Sequence, residues 1–506
     1  MADVTPAHVG QLSADGRWRW DGAAWQPVIP APAWVSTALR TRATWAALVA
    51  ALAIGLLADQ WLRTGAFGLA ASATLIAAAA MLVWLGRLER IESRLLAAGA
   101  VLLAAALALR ASPWLLWPDL GASLLLLGAA ASLSTRGSVL DLGAAELIAR
   151  SIHGLIHMLG GVAYIVRPVF TIRGRVAGAL PIARGLVIAV PIAAVLAALL
   201  ASADPVFASF FNLNIDVGQL VLDVVYAVIG SLVAAGLLRL AASNAVERVD
   251  GPSWRLGATE ALVVLVILDA VFAAFAMAQV LAATGAAAAT LRNAGVTYSD
   301  YARSGFFQLL WVSGITLAVL ILFSRISAFK EQRSRLAFLV LAQVAIALTI
   351  MIDVVAFRRL SLYEEAYGFT MLRLYSHVFA MWVAVVYLLL AADFIGVWRA
   401  RRWFMGAAAI TAASILLGLN VANPEAVVVA FNTNHAQTAH KIDSQYLSEL
   451  SSDATPALLA SRAQLEPSLR QQVTEAACQG PRTYAPPLPG YNWSDAAAAE
   501  ARHTGC

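Results

Sequence analysis

The chain has 506 residues, of which 60% are apolar and only 13% charged, with a mean hydropathy of +0.75. Soluble domains carry about a quarter charged residues, so half the expected charge is missing. This excludes a soluble enzyme, a disordered protein and a nucleic-acid binder, since the net charge of +5 is thin and scattered. Such a composition requires a lipid bilayer around the chain.

Residues 1–43 are polar and lack the positive-then-apolar start of a signal peptide, so none is expected. Within them Trp18, Trp20 and Trp25 alternate with polar residues between Asp-Gly turn signals. That pattern predicts a small β-hairpin with an aromatic face. It resembles the Trp-Asp-Gly-type modules at the start of some actinobacterial membrane proteins. The Trp side chains would be the hairpin's own small core rather than a grip for a partner.

Apolar runs long enough to cross a bilayer fall at 44–62, 66–86, 94–112, 114–134, 185–203, 220–241, 258–283, 305–324, 336–357, 374–396 and 403–422. The third and fourth meet at a junction crowded by Arg110, Pro113 and Pro118. With the N-terminus inside, the inner segments hold 23 Lys and Arg and the outer loops seven. This bias predicts eleven spans, N-in and C-out. The expected fold is an all-α polytopic membrane protein. Its parts are a cytoplasmic segment (1–43), a four-helix part (44–134), an inner amphipathic segment (135–184), a seven-helix core (185–422) and an extracytoplasmic tail (423–506).

In the inner segment, Glu146, Arg150, His153 and His157 share one helical stripe. Two His at i, i+4 can share a metal ion, but such a site needs further ligands and none is close in sequence. An amphipathic helix on the inner membrane surface is the stronger reading. No metal or cofactor is expected.

Ionisable groups inside spans cost several kcal/mol and therefore point to function. Asp59, Asp223, Asp353 and His377 read as lying within about a turn of the outer interface, where snorkelling explains them. Asp269 reads as lying near the midplane, either as a proton or ion site or as a neutral carboxyl bonding two helices. The outer loops carry the densest polar chemistry. Loop 284–304 ends in Tyr298, Asp300, Tyr301 and Arg303; loop 358–373 holds Arg358, Arg359, Tyr363, Glu364, Glu365, Tyr367 and Arg373, with His377 a turn further on. A carboxylate pair beside a His could do acid–base work. Arg–Glu pairs at loop ends more often fix loop geometry.

The tail reads as a pair of short helices followed by a Pro-rich stretch at 481–490. It contains both cysteines, Cys478 and Cys506. On an oxidising side they could form a disulfide, though spacing alone leaves two free thiols equally open.

The segments from Tyr298 to Phe307 and from Tyr363 to Arg373 resemble signatures of a bacterial polytopic membrane family catalogued as domain of unknown function 4173. Asn423-Pro424-Glu425, Asn432 and the stretch from Asp443 through Tyr446 to Asp453 fit the same resemblance. It implies an inner-membrane location and no established activity.

Three function classes follow. A non-enzymatic scaffold or sensor would use the outer loops and tail to dock an envelope protein. An ion-coupled transporter would use Asp269, but no inverted repeat or clearly broken pair of helices is visible. A lipid-linked transferase is weakest, because the first outer loop is about four residues long with only Asp59 nearby. The first class is the expectation, with the bilayer and an envelope protein as partners and the oligomeric state open.

Overall fold

The computed structural model describes residues 13, 18–20, 24–27, 38–135, 137–170, scattered positions between 185 and 207, 217–243, 255–283, 306–398, 402–480 and 488–506. Strands β1 (Trp18–Trp20) and β2 (Trp25–Pro27) pair antiparallel with Trp20 opposite Trp25, their rings 5.5 Å apart. Two of the expected hairpin's aromatic residues thus pack on each other, with Trp25 remaining exposed.

Helices follow in two sets. The first comprises α1 (Trp45–Thr64), α2 (Leu69–Trp84), α3 (Ile91–Leu109), α4 (Pro113–Ser132), α5 (Ala144–Leu159), the short α6 (Gly161–Ile165) and α7 (Arg167–Phe170), and α8 (Val217–Ala241). The second comprises α9 (Ala258–Ala283), α10 (Phe306–Ile326), α11 (Gln332–Tyr367), α12 (Met371–Ile395) and α13 (Phe404–Ala422). Two short parallel strands, β3 (Leu256–Gly257) and β4 (Ser327–Ala328), join the flanks of α9 and α10. Among the described residues, nine of these helices are long and apolar enough to cross a membrane; α2 is apolar but has 16 residues. The chain is a multi-pass α-helical membrane protein. The expected fifth span, 185–203, lies largely outside the described residues.

Why the helices pack is written in small residues. Without a hydrophobic drive between helices in lipid, close backbone approach supplies the attraction. At the α1–α8 crossing a Cβ on Gly55 would fall 2.1 Å from Ser231 Oγ, and one on Gly230 would fall 2.4 Å from the Ala58 Cβ. Any larger side chain would push the pair apart. Alanines surround this contact and continue into one buried cluster with α2, α3 and α4.

The helix ends sort into two groups. Arg40, just before α1, donates to the carbonyls of Ala241 and Ser243 at the end of α8. Ser134, past α4, bonds Ala241 there too. At the opposite end of α1, Arg63 bridges Asp59 (3.2 Å) and Asp223 (2.6 Å), tying the last turn of α1 to the start of α8. Exposed Trp side chains gather at both ends: Trp45, Trp84 and Trp398 at the first, and Trp114, Trp117 and Trp493 at the second. Such belts mark bilayer interfaces.

Three local expectations change. Helix α11 runs on to Tyr367, where Gly368 at φ +78° ends it, so residues 358–367 are helix rather than loop. Asp353 therefore lies about four turns before the helix end, not within a turn of the interface. Helix α5 turns its polar stripe inward: Glu146, His153 and His157 are buried, while Ile148, Leu155 and Leu159 are exposed. The apolar face is the one left for lipid, because Arg150 finds its partners inside, on the Ser132 carbonyl and hydroxyl.

The tail is larger than a helix pair. It folds as α14 (Pro424–Ala439), α15 (Ser444–Ser448), α16 (Thr455–Ser461), α17 (Pro467–Gln479) and α18 (Trp493–Gly505). Val428, Leu447, Leu458, Leu469 and Val473 form its core together with Met371 and Leu374 of α12. Cys478 and Cys506 are joined in a disulfide, which ties the ends of α17 and α18. Residues 481–487 of the Pro-rich stretch lie outside the described residues.

Candidate functional site: a cleft beneath the tail

The tail is fixed to the second group of helix ends by side chains that satisfy exposed backbone. Helix N-termini leave their first N–H groups without intrahelical partners. Asp453 Oδ2 accepts from the Ala111 and Ser112 N–H groups, at 3.1 and 2.9 Å, at the start of α4, and its Oδ1 accepts from Ser494. The Tyr446 hydroxyl accepts from the Met371 N–H at the start of α12 (2.7 Å). Asn432 clamps Phe369 both ways, accepting from its N–H at 2.9 Å and donating to its carbonyl at 2.7 Å. Asn492 donates to the carbonyls of Arg110 (2.8 Å) and Leu107 (3.2 Å) at the end of α3. Asn423, in the left-handed region, ends α13 and caps α14, while its Nδ2 donates to the Asp453 carbonyl.

Between tail and helix ends lies a cleft of about 680 Å³. Its floor is Phe67, Pro113, Trp114 and Met371; its polar wall is Glu425, Tyr446, Glu449, Ser451 and Asp495. Trp114 stacks on Tyr375 with ring centroids 5.2 Å apart. Glu425 is buried and accepts from the Ser451 hydroxyl at 2.7 Å. Burial pushes its carboxyl above the usual glutamate range and nearby Asp453 adds to this, while hydrogen bonds from Ser112 and Ser451 pull the other way. Burial likewise raises the Tyr446 hydroxyl. Behind the cleft, Arg110 donates to the Asn420 carbonyl (2.8 Å) and Asn420 donates to Asp119 (2.8 Å), a fully buried carboxylate. An amphiphilic pocket with several acids and, among the described residues, no Lys, Arg or His in its lining can hold a ligand; no nucleophile–base pair stands among those residues.

The sequence-derived cluster lies elsewhere. Tyr298, Asp300, Tyr301 and Arg303 fall outside the described residues, as do the side chains of Tyr363, Glu365 and Tyr367. Glu364 and His377 meet, with Oε1 3.1 Å from Nδ1, where α11 turns into α12; Ser361 lies 3.3 Å from the other ring nitrogen. Phe357 packs edge-on against the same ring. Arg373 reaches the Gly368 carbonyl, and Arg359 donates to Gln279 of α9 (3.2 Å). Arg358 is exposed. These side chains fasten a helix hairpin to its neighbour. Asp269 is buried in α9, and neither of its carboxyl oxygens has a hydrogen-bond partner among the described residues. Among the described residues no group of three or more His, Cys, Asp or Glu could hold a metal ion.

Sequence reasoning missed Trp114, Asp119 and Asn492, and named Asp453 only within a resemblance. The run Pro113-Trp-Leu-Leu-Trp-Pro118-Asp was visible as an unusually polar and aromatic helix start. Asn492 and Asp453 carry no local signal, because their partners lie more than 300 residues away.

The family described as Domain of unknown function (DUF4153) matches residues 97–461, and the chain belongs to it. This corrects the resemblance to family 4173, which rested on short motifs that cover too little of the chain to separate one family from another. No curated protein and no solved structure matches the chain.

Proposed function

We propose that this protein is a scaffold or sensor of a bacterial inner membrane, with eleven spans, its N-terminus in the cytoplasm and its tail outside, and that the cleft beneath the tail receives an envelope ligand or partner. One observation carries the reading: a disulfide-tied helical tail seats on the helix ends and closes an acid-walled cleft there rather than burying the surface completely. The sidedness draws on the 23-to-7 bias of basic residues and on the disulfide, which persists in oxidising compartments. The count draws on the described ends of the 171–216 interval. It is entered beside α8's last turns, where Arg239 caps α5, and left where Asp223 meets Arg63 at the other end. One more crossing is needed to join them.

Photo-crosslinkers placed at Glu449 and Asp495 in living cells test this reading. Crosslinks to the same envelope molecule should form at both and be absent at exposed Glu475, which does not line the cleft. Equal capture at all three positions would contradict it. A second reading, coupling to a proton or ion, has Asp269 behind it, since a buried carboxyl with no hydrogen-bond partner among the described residues is costly unless neutralised. Asp269→Asn that keeps abundance but abolishes the cellular phenotype would favour it.

A further inference from the structure

The turn from α11 into α12 brings three side chains into an order that fastening the two helices does not require. Glu364 is buried, and its Oε1 lies 3.1 Å from His377 Nδ1; the Arg373 carbonyl is also 3.1 Å from that nitrogen. A carboxylate and a carbonyl only accept, so Nδ1 carries the ring proton. In the neutral imidazole Nε2 is then a lone pair, and Ser361 Oγ stands 3.3 Å from it. Phe357 packs edge-on against the ring, and the Phe369 centroid lies 6.4 Å from it. Nucleophile, base and an acid that orients the base thus follow one another within reach.

Protonation reverses this chain without breaking it. With both nitrogens protonated, Nε2 donates to Ser361, and Ser361 donates to the Phe357 carbonyl at 3.1 Å, a satisfied resting form. When Nε2 loses its proton, the Ser361 hydroxyl can turn from the carbonyl to the ring. Glu364 then favours the imidazolium that forms as the serine gives up its proton. The other cations nearby are engaged elsewhere: Arg373 of α12 by the Gly368 carbonyl and Arg359 of α11 by Gln279.

Ser361 is reached from outside the bundle. Val354, Phe357, Arg358 and Leu362 share its side of α11 and are exposed. Val354 and Phe357 lead down a helix long and apolar enough to cross the membrane, where an acyl chain can lie. Arg358, one turn before Ser361, offers a cation to the negative oxygen of a reacting ester.

We propose that Ser361, His377 and Glu364 form an acyl-transfer site that cleaves fatty-acyl esters of lipids at this membrane interface. Ser361 Oγ bonds to the ester carbon and passes its proton to His377 Nε2. The carbon–oxygen bond to the alcohol breaks, and His377 protonates the departing oxygen. Water, deprotonated by the same nitrogen, then frees the fatty acid and restores Ser361. Glu364 acts through the imidazole and is a positioning residue. The site is separate from the cleft and independent of its ligand.

The test treats the full-length protein in lipid nanodiscs with a long-chain fluorophosphonate and finds the labelled peptide by mass spectrometry. Wild type should be labelled at Ser361, with fluoride displaced, and His377→Gln should slow this at least about tenfold. Labelling should rise with pH through the histidine range, about pH 6.5 or above. Glu364→Gln removes the charge that favours the imidazolium and should move that midpoint to lower pH, whereas a purely structural role would leave it in place. In nanodiscs of phosphatidylglycerol with a labelled acyl chain, wild type should release fatty acid at least about tenfold faster than Ser361→Ala. If His377→Gln fails to accumulate, the pH profiles of wild type and Glu364→Gln decide. No labelling at Ser361, or labelling indifferent to both His377 and pH, would overturn the proposal. Labelling without release of fatty acid would overturn its assignment to lipid esters.

Discussion

The two ends of the helix bundle are finished differently, although Arg110 and Arg373 also close C-termini at the tail end. At the end that carries residues 38–44, arginines close helix C-termini: Arg40 on α8, Arg150 beside the last turn of α4, Arg239 on α5 and Arg255 on α10. At the tail end, acids, amides and a phenol close the helix N-termini: Asp453 on α4, and Asn432 and Tyr446 at the start of α12. The helix macrodipole favours this division, with cations at C-termini and anions at N-termini. The basic residues of the end that carries residues 38–44 thus have a structural use. The same residues that bias orientation cap the carbonyls that point that way. At the tail end the caps come from the tail, whose core takes in Met371 and Leu374 of α12.

The largest expected effect breaks that unit. Removing the disulfide in a Cys478→Ser/Cys506→Ser variant opens a closed loop of 28 residues and should cost the tail about 3 kcal/mol. Limited proteolysis should then cut between α17 and α18 while the membrane helices stay intact. Asp453→Ala comes next: it leaves the Ala111 and Ser112 N–H groups unpaired in a buried place, at about 2 kcal/mol. The tail should release more readily, seen as faster hydrogen exchange in α16 with no change in α8. At the opposite end, Arg40→Ala should cost about 1 kcal/mol and speed exchange at the end of α8 alone. If either change loosened both ends equally, the ends would not be independent.

The smallest effect is a pH dependence. Glu425, outside the spans, has its carboxyl raised by burial in the folded tail, so the folded state binds its proton more tightly than the unfolded state does. Its contribution is present below the unfolded glutamate range, is lost as pH rises through the folded value, and is level above that. Tail stability, read by proteolysis, should fall over that window in the wild type and stay flat in Glu425→Gln. A wild-type profile that rises there would contradict the burial of this group.

Nine of the spans were legible because hydropathy acts locally and repeats over twenty residues at a time. Helix α11 was cut short because Arg358, Arg359, Glu364 and Glu365 look like loop, yet they extend a helix beyond its apolar stretch. That error placed Asp353 at the surface. The amphipathic α5 was recognised, but composition cannot say which face meets protein; Ser132 and the end of α8 decide it. The cleft was illegible for a different reason. It is built by Asp453 and Asn492 reaching across the chain to α3 and α4, and no pattern within a window records such a pairing.

The most direct test of an outward-facing cleft is the side of the membrane on which the tail lies. A reporter active only outside the cytoplasm should be active when fused after residue 440 and inactive when fused at residue 330. The reverse pattern would put the acid-capped end, the disulfide and the cleft inside the cell, and would contradict the account.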